Sequence, residues 1–313
     1  MADTAFLFSG QGAQYPGMMG NLFSEFPEAA ALLHTADSVL GIPLSEVIAM
    51  GPADELNKTR NTQPALLTCE VAALTVLRSS GVRADCLAGF SLGEWSALVA
   101  GGVISFEDGL RIVSKRAEAM QTAVPEGEGA MAVVLGKSAD EVEALCRENG
   151  AVTPSNYNCP GQITIAGTAD GIGRFMTAAA ERGIVAKQLA ISVPSHCWLM
   201  KPAAEALAAE LERVSFRDSA LPIVMNCTAE AEQRGSVIKA NMIRQLTEPV
   251  LFEKTVRRLF ADGVQNFVEI GPGRTLAGLV KKTAKVTGDP FRTFLTDGAI
   301  EACVAELGGE TGV

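Results

Sequence analysis

DCLAGFSLGEWSALVAGG, residues 85–102, decides how the rest of the chain reads. A short apolar run, Cys86 to Gly89, enters a turn, and a helix-spaced segment leaves it from Leu92 onward. A strand feeding directly into a helix is half of a βαβ unit, so the segment predicts α/β architecture with a largely parallel sheet. Within it, Gly89-Phe90-Ser91-Leu92-Gly93 matches GxSxG, which in this context reads as a nucleophile elbow. The sharp turn presses backbones together, and glycine lacks the Cβ that would clash. Ser91 would then sit at a helix N-terminus, where unpaired N–H groups and the positive dipole end favour developing negative charge. The bland alternative is a loop serine between two glycines; the flanking strand and helix favour the elbow.

The surroundings repeat the alternation. AFLF near residue 5 predicts a short strand, and helices are expected over Phe23–Leu40, Ala65–Ser79 and Glu107–Gln121. The middle of the chain then changes character. AMAVVLG (130–136), VTPSNYN (152–158), QITIAG (162–167) and VAKQLAIS (185–192) read as strands, with helices over 137–149 and 168–183. That β-α-β-β-α-β order is ferredoxin-like and can close as its own unit. The expected division is therefore a larger α/β part, 1–126 with 194–313, and an inserted ferredoxin-like one, 127–193. After the insertion, helices are expected from Met200 to Val214, over 241–261 and over 274–286, with strands at LPIVMN and NFVEIG.

The 313 residues suffice for a large core, and 26 basic against 36 acidic residues give a net charge of −10. Such acidity argues against nucleic acid, which needs a basic footprint. No apolar run reaches the roughly 18 residues of a membrane span, and the start MADTAFLF does not resemble a signal peptide. Seven cysteines without a CxxC pair fit reduced, mostly buried thiols rather than disulfides or zinc. A cytoplasmic monomer is expected, with no metal and no cofactor.

A serine hydroxyl needs an adjacent base, and the chain has only two histidines, His34 and His196. His34 lies in an amphipathic helical stretch and reads as a surface or packing residue. His196, in SVPSHCWLM, follows a strand and precedes a helix, and strand ends are where α/β sites collect. No Asp or Glu between Ser91 and His196 stands out as a third member, and Glu269 reads as structural. A Ser–His dyad, oriented by something other than a carboxylate, is expected. The Leu92 N–H, next to the nucleophile, would supply one oxyanion donor. The loop Ser9–Gln14 (SGQGAQ), which is not GxGxxG, is glycine-rich enough to bring a second. GPGRTLAGL (271–279) lacks the lysine of a P-loop.

Taken in order, FLFSGQGAQ (6–14), NTQPALLT (61–68), GFSLGEWSAL (89–98), KRAEAMQ (115–121), NYNCPGQITIAG (156–167), VPSHCWLMKPAA (193–204) and VEIGPGRTLAGL (268–279) resemble the malonyl-CoA:acyl carrier protein transacylases of bacterial type II fatty-acid synthesis. The resemblance spans nearly the whole chain and implies an α/β-hydrolase-like large catalytic subdomain, 1–126 with 194–313, carrying a ferredoxin-like small one, 127–193. It implies Ser91 as acylated nucleophile, His196 as base, and the N–H groups of Gln11 and Leu92 as oxyanion hole. It assigns Arg116 to the free malonyl carboxylate, and a main-chain carbonyl near Gln245 to orienting the histidine. Gln63, Met120 and Asn158 fall to the substrate pocket. The partners it implies are malonyl-CoA and acyl carrier protein, reached by a ping-pong transfer. Two positions depart from the family: Phe90 stands where histidine is usual, and Ser9 where proline is usual.

A polyketide-synthase acyltransferase, a thioesterase or esterase, and a non-catalytic carrier-binding scaffold are the competing readings. Arg116 speaks against the esterase, and intact Ser91, His196 and Gln11 against the scaffold. Both partners are anionic, so basic side chains around the cleft would have to steer them. The candidates are Lys115, Lys187, Lys201, Arg257, Arg258, Arg274, Lys281, Lys282 and Lys285.

Overall fold

The apolar runs before the first two turns lie side by side as parallel strands, with Ala5 opposite Cys86 and Phe8 opposite Gly89. In the computed structural model, which describes residues 3–189, 191 and 193–308, the chain begins with β1 Asp3–Phe8, α1 Gly20–Glu25, α2 Pro27–Leu40, α3 Leu44–Met50, α4 Ala53–Leu56 and α5 Thr59–Ser79. It continues with β2 Cys86–Gly89, α6 Gly93–Ala100 and α7 Phe106–Thr122. The middle comprises β3 Gly129–Leu135, α8 Ala139–Asn149, β4 Val152–Cys159, β5 Gln162–Thr168, α9 Ala169–Glu181 and β6 Val185–Gln188. Then come α10 Lys201–Leu211, β7 Ile223–Val224, β8 Ala231–Glu232, α11 Gly235–Arg244 and α12 Phe252–Ala261. The chain closes with β9 Val264–Ile270, α13 Thr275–Thr287, β10 Arg292–Leu295 and α14 Ile300–Leu307.

The protein is thus mixed α/β, with two separate sheets. One is six-stranded in the order β10-β9-β1-β2-β7-β8, parallel except for the β7–β8 pair. The other, β4-β5-β3-β6, is antiparallel throughout. Beyond its own sheet, β4 meets the stretch between α11 and α12, where Asn156 bridges Val250 and Tyr157 N–H donates to the Val250 carbonyl at 2.8 Å. Helix α5 is buried on nearly all sides, its polar residues Asn61, Gln63 and Glu70 included, with the apolar run from Ala65 onward packed in the core. The second sheet has its own apolar core, including Ile165, Ile172 and Phe175.

Several expected elements differ, each for a local reason. The helix expected over Phe23–Leu40 is broken at Phe26, because Pro27 starts a new helix at its first turn, where a missing N–H costs nothing. Helix α5 starts at Thr59 rather than Ala65 and carries Pro64 inside it; the carbonyl left open belongs to the exposed Arg60. The helix expected over 241–261 is two helices. Pro249 disfavours helical backbone at Glu248, and residues 245–251 cross between α11 and α12 as a loop. Met200–Val214 shortens to α10 behind a 3-10 turn at Trp198–Met200. LPIVMN contributes only Ile223–Val224, and β8 and β10 were not foreseen. The strand expected over 185–192 ends at Gln188, and Ala190 and Ser192 lie outside the described residues.

Candidate active site

The elbow is built as the glycine pattern demands. Ser91 has φ 54°, in the left-handed region that a side chain adopts only at a cost. A Cβ on Gly89 would lie 2.1 Å from the Gly93 carbonyl carbon, and one on Gly93 would lie 2.1 Å from the Phe8 carbonyl oxygen. Both positions therefore exclude any larger residue, and α6 is drawn directly onto the end of β1. Asn226, after β7, braces the turn. Its Oδ1 accepts from Ser91 N–H at 2.7 Å, and its Nδ2 donates to the Gly89 carbonyl at 2.6 Å.

His196, also at positive φ (61°), brings Nε2 within 2.7 Å of Ser91 Oγ. Its Nδ1 lies 2.7 Å from the Gln245 carbonyl. A carbonyl oxygen only accepts, so Nδ1 carries the proton and Nε2 is free to accept from the serine hydroxyl. The loop forced by Pro249 is what delivers that carbonyl. Burial, reinforced by the Arg116 charge, lowers the His196 pKa to about 4, so the ring is neutral at pH 7. His34 lies exposed on α2, far from this role.

Ser105 caps α7, accepting from Asp108 N–H at 3.1 Å, and the helix spacing carries Arg116 and Met120 to one face. Both line a cavity of about 200 Å³ with Ser91, His196, Gln11, Leu92 and Asn158. Val113, one turn earlier, packs in the core instead. Arg116 is 1% exposed. Its Nη1 donates to Gln63 Oε1 at 2.7 Å, and its Nη2 to Gln245 Oε1 at 3.0 Å and to Ser91 Oγ at 3.4 Å. Burial lowers its pKa to about 10, against the pull of Glu94, which still leaves it charged at pH 7.

Gln63 needs correction as a pocket residue. It is fully buried and does not line the cavity; it stands behind Arg116, with its Nε2 directed at Met120 Sδ at 3.4 Å. Asn158 does line the cavity, on β4, and donates to Thr164 Oγ1 at 3.1 Å. The N–H groups of Gln11 and Leu92 bond to no protein acceptor among the described residues. Gly10 permits this convergence, since a Cβ there would come within 2.6 Å of the Phe90 carbonyl. Phe90 itself packs edge-on to Phe252, ring centres 5.3 Å apart, and forms part of the cavity wall. Larger clefts of about 580 and 800 Å³ lie elsewhere and contain neither member of the Ser–His pair.

Asn226 and Glu94 were missed in the sequence. Glu94 is fully buried, accepting from Asn226 N–H at 2.7 Å and from Gln245 Nε2 at 2.5 Å. Burial raises its pKa to about 7 in spite of those two donors and the Arg116 charge. The available signal was one charged residue in an otherwise apolar helix, GEWSALVA. Glu269 caps α13, accepting from the N–H groups of Leu276 and Ala277. Of the basic candidates, Lys115, Lys201, Arg257 and Arg258 pair with carboxylates on their own helices. Lys282 donates to Gln162. Among the described residues no cluster could hold a metal ion, and no helix is long and apolar enough to cross a membrane.

This arrangement can acylate a hydroxyl and hold an anion beside it. Comparison with known proteins agrees with that chemistry. The acyl transferase domain family matches residues 5–303. The chain is 45% identical over 287 residues to the malonyl CoA-acyl carrier protein transacylase of Bacillus subtilis (strain 168), covering 90% of each. It is 42% identical over 300 residues to that of Escherichia coli (strain K12), covering 93% of this chain and 97% of the relative. A solved malonyl-transacylase in complex with its type II PKS acyl-carrier protein is similar with a TM-score of 0.94 and 39% identity, over 97% of this chain and 100% of that one. Matched by these relatives over nearly its whole length, the chain belongs to the malonyl CoA-acyl carrier protein transacylases of the acyl transferase domain family.

Proposed function

We propose that this chain moves a malonyl group from malonyl-CoA to the pantetheine thiol of acyl carrier protein, through an ester on Ser91. The observation that carries the reading is the buried Arg116 guanidinium, 3.4 Å from the Ser91 hydroxyl and, among the described residues, without a directly bonded carboxylate. A cation fixed there matches a carboxylate one carbon beyond the reacting carbonyl, and a guanidinium can hold it bidentately.

Ser91 attacks the thioester carbonyl while His196 Nε2 takes the hydroxyl proton. The N–H groups of Gln11 and Leu92 stabilise the oxyanion, and the C–S bond breaks as the imidazolium returns the proton to the CoA sulfur. The pantetheine thiol then gives its proton to His196 and attacks the ester. Its sulfur takes the malonyl carbon, and Ser91 recovers its proton. The Gln245 carbonyl holds the imidazole in the required tautomer and does the orienting work of a triad acid.

We read residues 1–126 with 194–313 as α/β-hydrolase-like, and 127–193 as a ferredoxin-like insertion whose β4, β5 and the stretch after β6 close the cavity. The element order and the antiparallel strand order support this division. Exposed Lys187, Arg274, Lys281 and Lys285, which make no ion pair among the described residues, are the steering charges we favour for the acidic carrier. A cytoplasmic monomer without a resident cofactor remains part of this reading. The solved relative bound to a polyketide-type carrier supports a second reading, in which the same chemistry serves such a carrier; transfer rates to the two carrier types separate them.

Kinetics with malonyl-CoA and acetyl-CoA test the role of Arg116. Arg116→Ala should lose about 2–5 kcal/mol of malonyl transition-state binding, the scale for breaking a buried charge pair, and favour acetyl transfer. Equal use of the two substrates by the wild type would refute the reading.

A further inference from the structure

Arg116 and Glu94 each present a charge that the fold leaves without a direct partner. Among the described residues the guanidinium bonds only to neutral oxygens, those of Gln63, Gln245 and Ser91, and its Nε–H to nothing. The Glu94 carboxylate touches no cation. Unpaired buried charges are among the costliest groups a protein can carry. Between the two stands one amide. Gln245 Oε1 accepts from Arg116 Nη2 at 3.0 Å, while its Nε2 donates to Glu94 at 2.5 Å and to the Ser91 carbonyl at 2.8 Å.

The amide has one workable orientation. Turned over, it would aim its NH2 at the guanidinium and its oxygen at the carboxylate, two repulsive contacts at once. Both Glu94 oxygens face donors, which favours the carboxylate against the burial that lifts its pKa to about 7, so the anion dominates at pH 8. We propose that Glu94 is the counter-ion of Arg116, acting across the Gln245 amide, and that this relay aims the guanidinium and sets the preference for a diacid acyl group over a neutral one. Glu94 is thus a positioning residue. The proposal rests on the malonyl reading of the site above.

Glu94→Gln separates the relay from simple packing. The new side chain still offers an oxygen to Asn226 N–H, so the elbow keeps its brace. Its NH2, however, opposes the Gln245 NH2, and turning Gln245 over sets that NH2 against Arg116. At pH 8, kcat/KM for malonyl-CoA should fall about 10- to 100-fold, the range for a hydrogen bond to a buried charge, with acetyl-CoA changed less than about threefold. In an Arg116→Ala background the same substitution should cost little on malonyl-CoA, because its target is gone. Equal losses on both substrates, or an undiminished loss in that background, would overturn the relay.

Thermal melting without substrate gives an independent reading. Arg116→Ala leaves a buried anion alone, and Glu94→Gln leaves a buried cation alone, so the double variant should melt above both single variants. A double variant melting below either would mean that the two charges are not coupled. If the wild type showed no malonyl preference, the functional reading would fail, while the melting comparison would still decide the relay.

Discussion

His196 binds fewer protons in the folded protein than in the unfolded chain, since its pKa falls from 6.5 to about 4. Its contribution to stability is complete above pH 6.5 and is lost as the pH falls from there towards 4. Kinetically, the acidic limb of kcat/KM should lie near pH 4 rather than 6.5. Burial is the larger cause of the shift and the Arg116 charge the second. Arg116→Ala should therefore move the limb upward without restoring it to 6.5. The rate of Ser91 modification by a neutral serine-directed reagent, followed against pH, measures this without needing malonyl-CoA. An unmoved limb would show that Arg116 does not act on the imidazole. Phe90, by contrast, touches the site through packing against Phe252 rather than through charge.

The elements most responsible for the site are short connections. The elbow was legible in the sequence because its constraint is local: a strand, two glycines four positions apart, and a helix. His196 was legible by scarcity, as one of only two histidines. The bracing groups Asn226 and Glu94 were not legible, because Asn226 lies 135 residues from Ser91 and Glu94 lies 151 from Gln245, and local patterning says nothing about such pairings; Gln245 itself came only from the family resemblance. The break between α11 and α12 was missed although Pro249 marks it; apolar helical spacing on both sides hid it. That break places both the Gln245 carbonyl on His196 and Val250 on β4. At this scale Gly93→Ala is the sharpest probe. Backbone surrounds the would-be Cβ, so relief requires α6 to move off β1. The substitution should cost about 3 kcal/mol or more, at or above the upper end for overpacking, and a urea midpoint within experimental error of the wild type would contradict the close approach.

Across the whole molecule, the cavity lies between a parallel sheet that supplies the nucleophile and an antiparallel one that supplies Asn158, Gln162 and Thr164 as its opposite wall. The nucleophile and the wall that faces it thus come from two sheets with separate cores. That division of labour matters only if the serine is the atom that carries the acyl group between donors. Intact-mass measurement after brief incubation with malonyl-CoA, followed by addition of holo acyl carrier protein, tests this most directly. The account predicts one malonyl adduct on the wild type, none on Ser91→Ala, and quantitative passage of the adduct to the carrier. An adduct that persists in Ser91→Ala, or carrier malonylated at the wild-type rate by that variant, would contradict it.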